Sequence, residues 1–90
     1  MTGQCTATDR VAPLAHDLSI DARDLLCPLP VLWARKALMR LAPGQVLRLL
    51  ATDAMAAVDL PHFARDTGHL YLAARPEEGA VAHYLQRGEG

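Results

Sequence analysis

Cysteine is scarce in this 90-residue chain, which holds only Cys5 and Cys27. Two are too few for the disulfide framework that staples small secreted domains, so a reducing, cytoplasmic setting is the expected one. Aromatic residues make up 4% of the sequence, with one Trp, two Tyr and one Phe, so a core must be built from Leu, Ala and Val. No apolar run approaches the roughly 18 residues that a membrane span requires. The N-terminus lacks the basic start and hydrophobic stretch of a secretory signal. No charge sign dominates either: nine Lys and Arg against ten Asp and Glu leave a net charge of −1. That balance argues against a nucleic-acid binder held by phosphate contacts. What the chain has in quantity is apolar residues, 51% of the total, enough for a packed core and too many for wholesale disorder. Ninety residues allow one domain.

Residues 1–16 mix Thr, Gly, Gln, Asp and Pro13 without periodicity and are expected to form a flexible tail carrying Cys5. Ordered structure is expected over residues 17–87, with 88–90 as a short C-terminal tail. Leu18 and Ile20 alternate with Asp17, Ser19 and Asp21, the pattern of a strand with one buried face. A loop from Ala22 to Leu26 leads to Cys27-Pro28-Leu29-Pro30 and a helical run reaching Leu41. Pro43-Gly44 marks a turn. Val46 to Ala51 is nearly all apolar, interrupted by Arg48, as suits a central strand. Thr52 and Asp53 are cap-type residues before a second helical region, Ala54 to Thr67. Pro61 predicts a break there, with a restart near Asp59. Ala56, Ala57, Leu60, Phe63 and Ala64 share its core face, and Gly68 ends it. His69 to Ala74 and Ala80 to Gln86 read as strands joined by a Pro76-Glu77-Glu78-Gly79 turn. The predicted fold is an α/β (α+β) two-layer sandwich, βαβαββ, with a four-stranded mixed sheet covered by two helices.

The chemistry converges on Cys27. It follows a strand and a loop, and Pro28 suits the first helical position, which makes Cys27 the predicted N-cap. Its sulfur would then sit where the helix dipole favours negative charge, with the Leu29 and Val31 amides as the nearest donors. Pro28 and Pro30 restrict the loop. Such a setting raises the thiolate fraction, and the thiolate is the species that attacks sulfur electrophiles. The plainer reading is a small buried hydrophobe. The flanking prolines at a strand-to-helix junction favour exposure instead. On the first helix Val31, Ala34, Ala37, Leu38 and Leu41 form the core face. Leu29, Leu32, Trp33 and Met39 lie opposite, among Arg35, Lys36 and Arg40, as a partner-docking surface would. Alternatively the tail or a loop covers Trp33, or the exposed leucines carry no function.

The stretch from Leu18 through Asp24-Leu25-Leu26-Cys27-Pro28-Leu29-Pro30 resembles the TusA/SirA sulfur-carrier family, whose signature is CPxP. The likeness continues through Arg35-Lys36-Ala37-Leu38, Pro43-Gly44, Thr52-Asp53, Asp59-Leu60-Pro61-His62-Phe63 and Gly68-His69. The resemblance implies a βαβαββ sandwich, as read independently above, and a cofactor-free sulfurtransferase-type carrier. Cys27 would carry a persulfide between a donor (a cysteine desulfurase or rhodanese-like protein) and an acceptor protein. Pro28 and Pro30 would shape its loop, Asp53 would lie on the rim, and Arg35 or Lys36 would meet the partner. Family members serve transfer-RNA thiolation, molybdenum-cofactor sulfuration or sulfur oxidation, and CPxP does not separate these. Two positions depart from the pattern. Asp24 stands where the family commonly has Gly; Asp tolerates left-handed backbone, but its charge opposes a thiolate, with Arg23 beside it as a partial offset. Ala64 stands where several members carry a second Cys, which leaves no resolving thiol in the fold and weakens a redox-switch reading.

His16, His62, His69 and His83 lack zinc-type spacing, and no metal site is expected. His69 and His83 are expected as exposed strand residues, with a facing pair across the last two strands as the alternative. Glu77-Glu78 reads as a solvated turn. The competing function is a protein-interaction or regulatory module using the apolar-basic patch, in which Cys27 would be dispensable. Direct nucleic-acid or membrane binding is not expected, and fold likeness to a translation initiation factor domain is weak ground for it.

Overall fold

A computed structural model describes residues 15–26, 28–77 and 79–88. Cys5, most of the predicted tail, Cys27 and Glu78 lie outside them. The element order is β1 (Leu18–Ala22), α1 (Leu29–Met39), β2 (Val46–Ala51), α2 (Ala56–Thr67), β3 (Leu70–Glu77) and β4 (Ala80–Gln86). The sheet runs β1-β2-β4-β3, parallel between β1 and β2 and antiparallel elsewhere. This is the predicted two-layer sandwich.

Alternation in β2 explains the layering. Leu47, Leu49 and Ala51 are buried, while Val46, Arg48 and Leu50 between them are half-buried. The first set packs with Ala34, Ala37 and Leu38 of α1 and Ala56, Leu60 and Ala64 of α2 in one core. Both helices therefore cover the same face of the sheet. Small Ala side chains on both helices let them approach the leucine layer closely, as an aromatic-poor core requires. On the other face Arg48 donates to Ser19 Oγ at 2.9 Å and is ion-paired with Glu77.

Several expectations shift. Cys27 is not the N-cap of α1: Pro28 holds that place with φ −98° and ψ 17°, outside the helical region. The cause is a tight turn before the helix, in which the Leu29 amide donates to the Leu26 carbonyl at 2.8 Å. Pro30 then occupies the first turn, buried rather than exposed in the loop. α2 starts at Ala56, because the Ala56 and Ala57 amides bond the Asp53 and Ala54 carbonyls in a preliminary turn. It runs unbroken through Pro61 to a left-handed Gly68 (φ 83°), where the Gly68 and His69 amides both reach the Ala64 carbonyl. Its burial against the sheet outweighs the one helix bond that Pro61 cannot make. Ala57 is exposed rather than in the core.

β3 extends three residues beyond the prediction, to Glu77, which pairs with Ala80. Pro76 is tolerated because β3 is an edge strand. Glu77 is thus no solvated turn residue; its carboxylate meets Arg48. The histidine expectation also fails. His83 is 1% exposed and its Nδ1 lies 2.7 Å from the Tyr71 hydroxyl. His69 precedes β3, and its Nδ1 accepts the Gly88 amide at 2.9 Å, so the two imidazoles are separately engaged.

Candidate functional site at the carboxyl edge of the parallel strands

β1 and β2 end side by side, and the loops after them lead into α1 and α2. They are tied together: the Asp24 amide donates to Thr52 Oγ1 at 2.9 Å. Asp24 adopts φ 69°, the single non-glycine in left-handed backbone among the described residues. This is the conformation expected where Asp replaces a glycine. Arg23 is engaged by the Asp21 carboxylate. Its Nε and Nη2 fork onto the two Asp21 carboxylate oxygens at 2.9 and 2.7 Å, and its amide adds a third bond at 3.0 Å. The guanidinium hydrogen bonds hold the Asp21 carboxyl down at about 2. Asp21 therefore already shares the Arg23 charge that was expected to offset Asp24.

Asp53 receives the Met55 amide on Oδ1 at 3.3 Å, so its carboxylate helps to order the entry to α2. Asp21, Arg23, Asp24, Thr52 and Gly79 line a polar cleft of about 360 Å³. On the outward side of α1 lies a different surface, an open groove of about 520 Å³ lined by Leu29, Leu32, Trp33, Arg35, Lys36 and Met39. Five of the six predicted partner-binding residues are brought together there. The sixth, Arg40, is the C-cap of α1 and does not line the groove. Trp33 is 46% exposed, so no loop seals it. α1 and its C-cap carry Arg35, Lys36 and Arg40 and no acidic residue, which makes this side of a nearly neutral chain cationic.

Five exposed apolar residues had no place in the expected surface: Leu26, Met55, Val58, Leu70 and Leu72. Leu26 precedes Cys27 directly and Met55 caps α2, which places apolar surface on both loops of this edge. Among the described residues no group of three or more His, Cys, Asp or Glu converges as a metal site. No helix among them is long and apolar enough to cross a membrane.

The fold and this edge define a class of small α/β proteins that present a strand-to-helix loop beside an exposed apolar-basic helix. The comparisons make that class specific. The family described as "Sulfurtransferase TusA" matches residues 18–87. The sulfur carrier protein TusA of Allochromatium vinosum is 42% identical over 69 residues, covering 77% of this chain and 90% of that protein. TusA of Pseudomonas entomophila is 36% identical over 74 residues, covering 82% and 92%. The putative sulfur carrier protein YrkF of Bacillus subtilis is 38% identical over 69 residues, but the match spans only 37% of that longer protein. A crystal structure of a SirA-like protein from Desulfitobacterium hafniense superposes with a TM-score of 0.66 at 30% identity, over 81% of this chain and all of that one. The chain belongs to the TusA sulfurtransferase family and is a sulfur carrier protein.

Proposed function

We propose that Cys27 is the residue that carries the sulfur, as a persulfide, between two partner proteins. The observation that carries this reading is membership of a sulfur-carrier family together with the position of Cys27 in the sequence, between the exposed residues Leu26 and Pro28 on the loop that opens α1. The Cys27 thiolate attacks the outer sulfur of a donor persulfide. A Cys27–S bond to that sulfur forms, the donor's S–S bond breaks, and the donor cysteine leaves as thiolate. The acceptor's thiolate repeats the step on the Cys27 persulfide, so sulfur moves with no net oxidation and no cofactor. Pro28 limits the conformations of the loop, Pro30 restricts the first turn of α1 that follows it, and the Asp24–Thr52 hydrogen bond fixes the loop's first half. Asp53 orders the neighbouring loop. The donor is read as a cysteine desulfurase or a rhodanese-like protein, and the groove along Leu29, Leu32, Trp33, Arg35 and Lys36 as the surface on which partners dock. On this reading the chain is an enzyme of the sulfurtransferase type, a persulfide carrier that needs no cofactor.

Intact-mass measurement tests the reading. Incubated with a cysteine desulfurase and cysteine, or with a rhodanese and thiosulfate, the wild type gains one sulfur atom, reversibly with dithiothreitol, and Cys27→Ala gains none. Equal loading of Cys27→Ala, or no loading of wild type by donors that load a control carrier, overturns it and leaves the groove as the seat of a binding function.

A further inference from the structure

The chain after β4 is held at the turn before β2, at the end of α1 and at the junction of α2 with β3. The Arg87 amide and carbonyl pair with Gln45 and Gly44 at 2.8 Å each. The Arg87 guanidinium reaches the Leu38 and Leu41 carbonyls through Nη1, at 2.8 and 2.6 Å. Gly88 then sits against the α2–β3 junction. A Cβ there would overlap the Gly68 carbonyl oxygen, and the Gly88 amide donates to His69 Nδ1 at 2.9 Å.

That last bond fixes a proton. A backbone amide can only donate, so His69 Nδ1 offers a lone pair and the neutral ring carries its proton on Nε2. Protonation at Nδ1 sets two donors face to face, and the bond is lost. The Tyr71–His83 contact differs, because a hydroxyl can turn and accept when the ring becomes the donor. Of these two imidazoles, His69 is the one whose partner cannot follow its charge.

The surroundings push the same way. From α2 the His69 ring meets Phe63, with centroids 6.0 Å apart, which offers no counter-charge. Tyr71 on β3 is committed to His83. From the segment after β4 it meets Arg87, and burial and then that charge hold the imidazole below its ordinary 6.5. The Arg87 Nε is itself buried with no hydrogen-bond partner among the described residues. An imidazolium beside this guanidinium therefore repels the side chain that holds the last carbonyls of α1. Neither His69 nor Gly88 belongs to a strand ladder, so the sheet does not depend on their bond.

We propose that His69 is an acid-released latch: once protonated, it lets go of Gly88 and loosens Arg87 from the end of α1, while the sheet stays formed. The latch stands apart from the role of Cys27. Met39, the last residue of α1, lines the groove, so an open latch also loosens that end of the groove, a consequence that rests on the docking reading.

The test follows the full isotope-labelled chain by NMR from neutral to mildly acid pH. The Gly88 amide signal is expected to move with the same midpoint as the His69 ring, below 6.5. Protection of the Arg40 and Leu41 amides against hydrogen exchange, corrected for its intrinsic pH dependence, falls several-fold across that midpoint, while the amides of β2 keep theirs. His69→Asn, whose side-chain carbonyl can accept the Gly88 amide but does not titrate, keeps the protection into acid. Gly88→Ala, which cannot seat against Gly68, is expected to raise the His69 midpoint, because no bond then favours the neutral ring. A Gly88 signal that ignores the His69 midpoint would overturn the proposal, and so would a midpoint unchanged in Gly88→Ala. An acid loss that persists in His69→Asn sinks it, since another group is then the source. Unchanged protection at the end of α1, or loss there in step with β2, also counts against it, because the latch then holds nothing or the fold opens as a whole.

Discussion

At the scale of single residues, Asp24 carries two opposed effects. Left-handed backbone costs most non-glycine residues about 1–2 kcal/mol, less for Asp and Asn. Replacing Asp24 by Val is expected to cost roughly that amount in chemical denaturation. Asp24→Asn keeps the backbone preference and removes a negative charge two residues from Leu26 and three from Cys27. In a Cys5→Ser background, alkylation of the remaining thiol at neutral pH is expected to be faster in Asp24→Asn than in the parent, at unchanged stability; an equal or slower rate would show that this charge does not reach the sulfur. Two pH dependences follow from the titrating groups. Burial holds the His83 imidazole below its ordinary 6.5. For His69 burial acts first and the Arg87 charge second, in the same direction. Both fold as neutral rings, so the unfolded chain binds protons first as pH drops. Stability is complete above 6.5 and falls as pH descends through the lower folded values. His83→Gln, which cannot titrate and can still meet the Tyr71 hydroxyl, is expected to flatten that decline in denaturation curves at a series of pH values. Asp21 titrates further down: its contribution is present above 3.8 and is lost as pH falls toward about 2. His83 was illegible in the sequence because a histidine on a central strand announces neither its face nor its partner; Tyr71 lies on another strand, and only the pairing of β3 with β4 brings them together. Asp24 was legible because a left-handed site limits which residues can replace glycine.

The elements show how short helices in a chain of this size are held at their ends. α1 stops at Met39, and Arg87, from beyond the last strand, donates through Nη1 to the Leu38 and Leu41 carbonyls at 2.8 and 2.6 Å. A charged donor at a helix end contributes about 1.5–3 kcal/mol, here added to the Leu41 amide that the Leu38 carbonyl also accepts at 3.1 Å. Arg87→Ala is expected to lose that much in urea denaturation, and Arg87→Lys to recover only part, since an ammonium on a flexible stem lacks the rigidly oriented N–H pair that the planar guanidinium holds at Nη1. At the end of α2, Gly68→Ala places a side chain at φ 83° and is expected to cost about 1 kcal/mol or somewhat more. A smaller loss would mean that the helix end rearranges. Gly68 and the type of every element were readable from local pattern. The boundaries were less so: both helices begin one or two residues late because backbone turns, Leu26–Leu29 and Asp53–Ala56, consume the residues that resemble caps. α2 also survives Pro61, because the sheet beneath Ala56, Leu60 and Ala64 supplies what the missing bond removes. Tertiary burial of this kind has no local signature.

At the scale of the whole molecule, a net charge of −1 hides a strong polarity. Arg35 and Lys36 border an apolar groove that holds Trp33, and no acidic residue lies between Leu25 and Thr52. Two terms separate in such a surface. Apolar side chains at the centre of an interface set how long a complex lasts, and charges at its rim set how fast it forms. If the groove receives the sulfur donor, Trp33→Ala weakens the complex by about 1–3 kcal/mol, tenfold or more in Kd. Arg35→Glu with Lys36→Glu slows sulfur loading at low salt, and added salt narrows the difference from wild type, because screening removes an attraction the variant already lacks. None of these side chains is buried in the core, so thermal stability is expected to stay within about 0.5 kcal/mol of wild type. The control that isolates docking is alkylation of Cys27 by a small reagent, which needs no partner surface. Variants that load slowly from a donor protein yet alkylate at the wild-type rate place the loss at recognition. Variants that lose both rates in step would show instead that the helix face acts through the loop that begins it.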